Sequence, residues 1–212
     1  MAKPFPSSVR NHLTGLRLLL LFTVVCGLVY PLLITGISQL VFSGQANGSL
    51  VRSSQGRVVG SSLIGQNFTV VDRLGHTSTS TPDPRYFQSR PSAAGTYGYD
   101  PTASAGSNLG PNSAVLAGEY SVRKAEIVLL NRVPRSQVPP DAVTASGSGL
   151  DPDISPQYAA VQVERVARVR NLSLVTVRAL VKQYTQGRTL GFLGGPRVDV
   201  LKLNLALDRT RS

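Results

Sequence analysis

A chain of 212 residues with a formal net charge of +11 invites a nucleic-acid reading, yet its 22 basic residues are scattered. No basic run is longer than Arg123-Lys124, and no basic stripe is interleaved with aromatics, so nucleic acid is excluded as the partner. The single cysteine, Cys26, rules out an intramolecular disulfide, and 20 Gly with 14 Pro point to a loop-rich chain of one modest domain plus an accessory segment.

The accessory segment comes first. Leu18 to Val41 reads LLLLFTVVCGLVYPLLITGISQLV and carries no charge. As a helix it would reach about 36 Å, more than the ~30 Å hydrocarbon core. A cleaved signal peptide needs only about 7–15 apolar residues, so a retained membrane helix over 18–41 is the better reading. Pro31 and Gly36 do not oppose it, because membrane helices tolerate both. Lys3, Arg10 and Arg17 precede the span and no acid occurs before Asp72, which puts residues 1–17 in the cytoplasm and the rest outside the cell. The 19 basic and 11 acidic residues beyond the span do not oppose this, since long domains cross largely regardless of charge. Thr23, Gly27, Pro31 and Thr35 recur at every fourth position and would let another helix approach closely.

Residues 42–56 are small and polar and read as a linker to an external domain over 57–212. Arg57 to Val71 has β-branched pairs around glycines, as one or two short strands would. Residues 72–115 are dense in Pro, Gly, Ser and Thr and should be mostly loop. Glu119 to Val133 has helical spacing, with Val122, Ile127 and Leu130 apolar. Ser155-Pro156 is a helix start, an N-cap hydroxyl before a proline at the first helical position. Ser173 caps a further helix, which should end at Gly187. Arg197 to Leu207 alternates, with Leu201, Leu203, Leu205 and Leu207 on one side, and predicts a half-buried strand. Strands and helices outside βαβ order give an α+β class.

Catalytic chemistry is hard to find. No lysine follows a glycine, as a phosphate-cradling P-loop requires. His12 and Cys26 lie before or within the span, leaving only His76 outside, too little for a zinc site. Ser146 and Ser148 sit in Ala-Ser-Gly-Ser-Gly, which is not the G-x-S-x-G nucleophile elbow, since that motif needs a glycine where Ser146 sits. The stretch Val143–Ala160 opens as a glycine-rich loop and closes as a helix N-terminus, a place that can hold an anion. No Lys or Arg lies within it, however, and Asp151 and Asp153 put two carboxylates beside the helix. These residues favour a loop that turns the chain and docks over one that grips a phosphate.

Five stretches carry a family resemblance. They are Gly60-Ser61-Ser62-Leu63-Ile64-Gly65-Gln66, Tyr86-Phe87-Gln88-Ser89-Arg90-Pro91-Ser92-Ala93, Gly106-Ser107-Asn108-Leu109-Gly110-Pro111, Val143 through Gln157, and Gly191-Phe192-Leu193-Gly194 with Pro196-Arg197-Val198. In this order behind one span, the chain resembles the C subunit of the Kdp potassium-transporting P-type ATPase of bacteria and archaea. The resemblance implies one transmembrane helix and a small mixed α/β extracytoplasmic domain. It implies three partners: a channel-like potassium-translocating subunit, a P-type pump subunit that hydrolyses ATP, and a small single-span peptide. By the same resemblance this chain has no catalytic residue, no metal and no tightly bound cofactor of its own. It would act as an accessory subunit and as a catalytic chaperone that raises the pump's ATP affinity. ATP would then reach Ser146, Gly147, Ser148, Gly149 and Gln157. The competing class is a free-standing, membrane-anchored binding or hydrolytic protein.

Overall fold

The computed structural model describes residues 6–71 and 77–210, so the predicted loop histidine, His76, lies outside them. The chain parts into two compact units after Ser49. The first is almost entirely one helix. Helix α1 (Ser7–Val24) passes through a π-helical turn (Val25–Val29) into α2 (Tyr30–Val41), 35 residues with no part buried in the protein. It begins well before Leu18, because nothing from Ser7 onward breaks the backbone ladder. At roughly 52 Å it is long enough, and apolar enough, to cross a membrane. In the wide turn the Tyr30 N–H donates to the Val25 carbonyl. The turn sits where the Pro31 ring would otherwise crowd the Gly27 carbonyl. A four-residue helix, α3 (Ser43–Ala46), follows.

The second unit starts inside the stretch predicted as linker. β1 (Leu50–Arg52) pairs antiparallel with β2 (Val58–Ser61), around a turn that Gly56 closes at φ +77°. Small polar residues here belong to a hairpin turn, not to a free connection. β3 (Thr69–Val71) pairs with β4 (Thr77–Pro82), a strand within the segment read as mostly loop. Helix α4 (Ala114–Asn131) starts earlier than the spacing suggested, because the Ser113 hydroxyl caps Leu116 N–H. Its Ile127 is buried, but Val122 is 59% exposed and faces away from the core.

The C-terminal half holds the core. β5 (Asp153–Ile154) leads into α5 (Pro156–Arg170), α6 (Leu174–Gln183), β6 (Thr185–Gln186), β7 (Arg197–Asp199) and α7 (Val200–Arg209). The three short strands form an antiparallel sheet in the order β5-β7-β6. Ser155 and Ser173 cap α5 and α6 as predicted, each accepting a backbone N–H three residues on. Tyr158, Val163 and Val166 of α5 pack with Val177, Val198, Leu203, Leu207 and Phe87. The result is an α+β domain behind one long apolar helix.

The predicted strand over Arg197–Leu207 is corrected. Only Arg197–Asp199 is extended; the remainder is α7. Asp199 turns the chain, accepting Lys202 N–H as an N-cap at 2.9 Å. The most deeply buried positions then fall at Val200, Leu203, Asn204 and Leu207, which is helical spacing, with Leu201 and Ala206 flanking them. Leucines at every second position fit both periods, and the cap decides between them. Helix α6 likewise stops at Gln183, short of Gly187, because Thr185 and Gln186 pair with β7.

Candidate functional site

The loop from Ala145 to Leu150 is held by its neighbours. Ser92 Oγ donates to the Gly149 carbonyl at 2.6 Å. Ser104 Oγ and Ala105 N–H both donate to the Ser148 carbonyl, at 2.9 and 3.0 Å. Gly65 N–H donates to the Leu150 carbonyl at 2.9 Å, and Ser148 Oγ accepts Leu150 N–H at 3.1 Å. Gly149 is buried at φ +68°, and a Cβ there would lie 2.7 Å from the Ala105 carbonyl oxygen and from Ala94. Only glycine fits that conformation and that space.

A cleft of about 570 Å³ opens beside the loop, lined by Leu63, Ile64, Arg90, Ser146, Ser148 and Asp151 among others. Its cation is Arg90, which comes from a stretch 53 or more residues earlier in the chain. Arg90 Nη1 meets Asp151 Oδ2 at 2.8 Å, and its Nε donates to the Thr144 carbonyl at 3.3 Å. The Arg90 carbonyl accepts the Tyr99 hydroxyl at 2.6 Å. Burial pushes the Tyr99 phenol up to about 12, so it stays a hydrogen-bond donor throughout the physiological range. Ser146 is 9% exposed, and its Oγ has no hydrogen-bond partner among the described residues.

Both carboxylates expected to repel an anion are already paired. Asp151 meets Arg90, and Asp153 Oδ2 lies 3.1 Å from Arg197 Nε. Burial, together with Asp151 and Asp199 nearby, raises the Asp153 carboxyl above its ordinary range. The helix N-terminus is likewise occupied. Asp141 accepts Ser155 N–H and the Ser155 hydroxyl, each at 2.8 Å, while that hydroxyl oxygen caps Tyr158 N–H.

The five residues singled out by resemblance are not one cluster. Ser146, Gly147 and Ser148 line the cleft, Gly149 is packed beneath it, and Gln157 is exposed on α5 and is not among the lining residues. The membrane-helix row is exposed along its length. The Thr23 and Thr35 hydroxyls donate to the Leu19 and Pro31 carbonyls at 2.8 and 2.7 Å, so neither needs an outside acceptor. Arg90, Leu63 and Ile64 were missed as cleft residues. Each stands in a stretch that carries the resemblance, but nothing in the order of residues brings Ser89-Arg90-Pro91 onto Thr144 and Asp151.

A protein-family profile described as "K+-transporting ATPase, c chain" matches residues 12–209. A potassium-transporting ATPase KdpC subunit of Gemmatimonas aurantiaca is 54% identical over 185 residues, 87% of this chain and 85% of that protein. The corresponding subunit of Methylococcus capsulatus is 52% identical over 205 residues, covering 95% of this chain and 99% of its own. That of Myxococcus xanthus is 49% identical over 199 residues, with 94% and 88% covered. A match of this identity, running through the apolar helix and the domain alike, makes the chain a membrane-anchored member of the KdpC family, the c chains of the K+-transporting ATPase.

Proposed function

We propose that this chain is a non-catalytic accessory subunit that assembles and stabilises an ATP-driven, high-affinity potassium uptake complex. Its long helix packs in the bilayer against a channel-like subunit through Thr23, Gly27, Pro31 and Thr35, with a P-type pump subunit and a small single-span peptide completing the complex. Its N-terminus is cytoplasmic and its domain extracytoplasmic, as the basic flank of the span argues. Hydrolysis of ATP belongs to the pump subunit. Within the domain, the Ser146–Gly149 loop and Gln157 serve as a shaped docking surface. The observation that carries this reading is the Arg90–Asp151 pair at 2.8 Å. The cation that the fold brings to the loop is already neutralised, and the loop's carbonyls already bond to Gly65, Ser92, Ser104 and Ala105.

One observation favours a second reading. Ser146 Oγ, buried and without a partner among the described residues, lines the cleft beside Arg90. That pair suits a phosphate oxygen, as the catalytic-chaperone role would need, with ATP reaching the loop through the complex. The readings part in reconstituted complexes. If the loop docks, Ser148→Ala and Gln157→Ala lower the yield of assembled complex while the ATP dependence of potassium-stimulated hydrolysis is unchanged. If it contacts nucleotide, Ser146→Ala assembles fully but needs more ATP for half-maximal hydrolysis. Normal subunit stoichiometry with a raised ATP requirement would defeat the docking reading.

A further inference from the structure

Beyond the cleft, the most exposed large apolar side chains of the folded domain include Leu190 at 78% and Phe192 at 69%, with Leu193 at 49%. All three stand in one short loop between β6 and β7. We propose that this loop, Arg188 to Gly194, rests in the lipid interface of the same membrane that holds the chain's long helix, as a second point of contact with the bilayer.

The backbone of the tip is prepared to leave water. Thr189 N–H donates to the Leu193 carbonyl at 3.0 Å, and Leu193 N–H returns to Thr189 at 2.9 Å. Gly191 N–H donates to Arg188 and Phe192 N–H to Thr189, at 3.2 and 3.3 Å. A turn with these four donors satisfied internally avoids part of the cost of moving backbone into a water-poor medium. Leu190 sits at φ +54°, a conformation unfavourable for a bulky side chain. The closed ring of bonds holds it there and keeps the Leu190 and Phe192 side chains outside the fold.

The tip suits a soft surface better than a protein groove. Around its three large side chains stand Gly187, Gly191, Gly194 and Gly195, and a Cβ at any of them would meet nothing within 4 Å. That is a narrow convex point, far from the ~800 Å² that each partner commits to a standard protein interface. Charge points the same way. No acid occurs from Gln186 to Val198, and among the described residues Arg188 has no carboxylate partner. Its guanidinium donates to the Gly194 carbonyl at 3.0 Å, which holds a cation beside the apolar tip, as an anionic lipid surface would select. Residues 42–49 alone join the long helix to β1, so the tether is at most about 30 Å when fully extended. A domain held to the bilayer by its own chain needs only a contact too weak to hold a free protein.

The chain has no tryptophan, so Phe192→Trp creates a single reporter in the full-length protein. It is placed in nanodiscs of phosphatidylcholine with phosphatidylglycerol, with and without bromine on the acyl chains. The expected result is blue-shifted emission, loss of intensity with brominated lipid and protection from aqueous iodide, all in the chain alone. Leu190→Trp reads the same contact should the first variant fold poorly. Arg188→Gln should reduce the bromine quenching in anionic discs and leave it unchanged in phosphatidylcholine alone. Red emission open to iodide and untouched by bromine overturns the proposal. So does a reporter that ignores brominated lipid and becomes shielded only when partner subunits are added, because the tip then docks on protein. Neither result bears on whether the cleft loop assembles the complex, since the lipid contact is read without partners.

Discussion

Asn204 and Phe87, 117 residues apart, exchange two hydrogen bonds as neighbouring strands would: Phe87 N–H donates to Asn204 Oδ1 and Asn204 Nδ2 donates to the Phe87 carbonyl, both at 2.9 Å. Gln162 repeats the arrangement with Gln88, at 2.7 and 3.1 Å. Side-chain amides of α7 and α5 thus serve the backbone of a segment that has no strand to pair with. Removing the Asn204 amide leaves both Phe87 backbone groups buried and unpaired. Asn204→Ala should therefore cost about 2–6 kcal/mol, at roughly 1–3 kcal/mol for each of the two orphaned groups. Chemical denaturation of the detergent-solubilised chain reads it, and a loss below that of an ordinary surface substitution would refute the role.

Arg165 extends the same clamp. It is 1% exposed, and its guanidinium reaches the Pro84 and Tyr86 carbonyls, Asn131 Oδ1 and Gln162 Oε1 at 2.6 to 2.9 Å. All of these acceptors are neutral, and burial pushes the guanidinium down to about 10, so it remains charged at neutral pH. Arg165→Met should destabilise by about 3 kcal/mol or more, because the acceptors lose their donors. Arg165→Lys should recover only part, since an ammonium cannot span a fork of four acceptors. Full recovery with lysine, in thermal melts, would mean that charge alone matters there.

The glycines of the cleft loop offer a matched pair. Gly149→Ala puts a Cβ at φ +68° within 2.7 Å of Ala105 O and Ala94. Strain of about 1 kcal/mol and overpacking of about 1–3 kcal/mol together predict a loss of about 2–4 kcal/mol. At Gly147, a Cβ would meet nothing within 4 Å, so Gly147→Ala should stay within about 0.5 kcal/mol. Equal melting temperatures for the two variants would contradict the packing described.

Asp153 sets a pH dependence. Its carboxyl is raised in the folded protein by burial and by Asp151 and Asp199, so the folded state binds that proton more tightly than the unfolded chain does. The group therefore favours folding below its unfolded value, near 3.9, and the contribution is lost as pH rises through the raised value. Asp153→Asn should stabilise the domain at neutral pH, with the advantage vanishing in acid. The lost pair with Arg197, whose side chain is 41% exposed, subtracts little. A variant less stable than the parent at pH 7 would reverse this sign.

The row on the membrane helix is tested by Gly27→Leu against Leu28→Ile. A Cβ at Gly27 meets nothing within 4 Å, so the substitution should leave the chain itself intact. Lower recovery of the channel-like subunit with Gly27→Leu alone would show that another helix lies against this face. Equal recovery from both removes the contact.

The sequence announced what local chemistry decides. Ser155-Pro156 and Ser173 mark helix starts because an N-cap needs only its own next three residues. The charge-free span is legible for the same reason, since composition alone makes it apolar. What escaped were relationships between distant segments. Leu201, Leu203, Leu205 and Leu207 alternate as in a strand, and only the Asp199 cap and the packing of α7 on the core select the helix. Arg90 lies far from the cleft loop in sequence, and its approach to Asp151 is a product of folding. The clamp residues Asn204, Gln162 and Arg165 looked like polar positions on helices because their partners include backbone groups 74 to 117 residues away.

The wide turn at Val25–Val29 has a rotational consequence. Residues four apart on an α-helix drift by about 40° per step, so Thr23 and Thr35, three steps apart, would diverge by about 120° on a regular helix. One extra residue in the turn winds the following segment back by about 100°, leaving the two threonines only about 20° apart. The π turn acts as a phase corrector that converts a spiralling row into a straight one. Deleting Cys26 would restore a regular turn yet leave Thr23 and Thr35, then eleven residues apart, still about 20° from one another, so the straight row would outlast the wide turn that produces it.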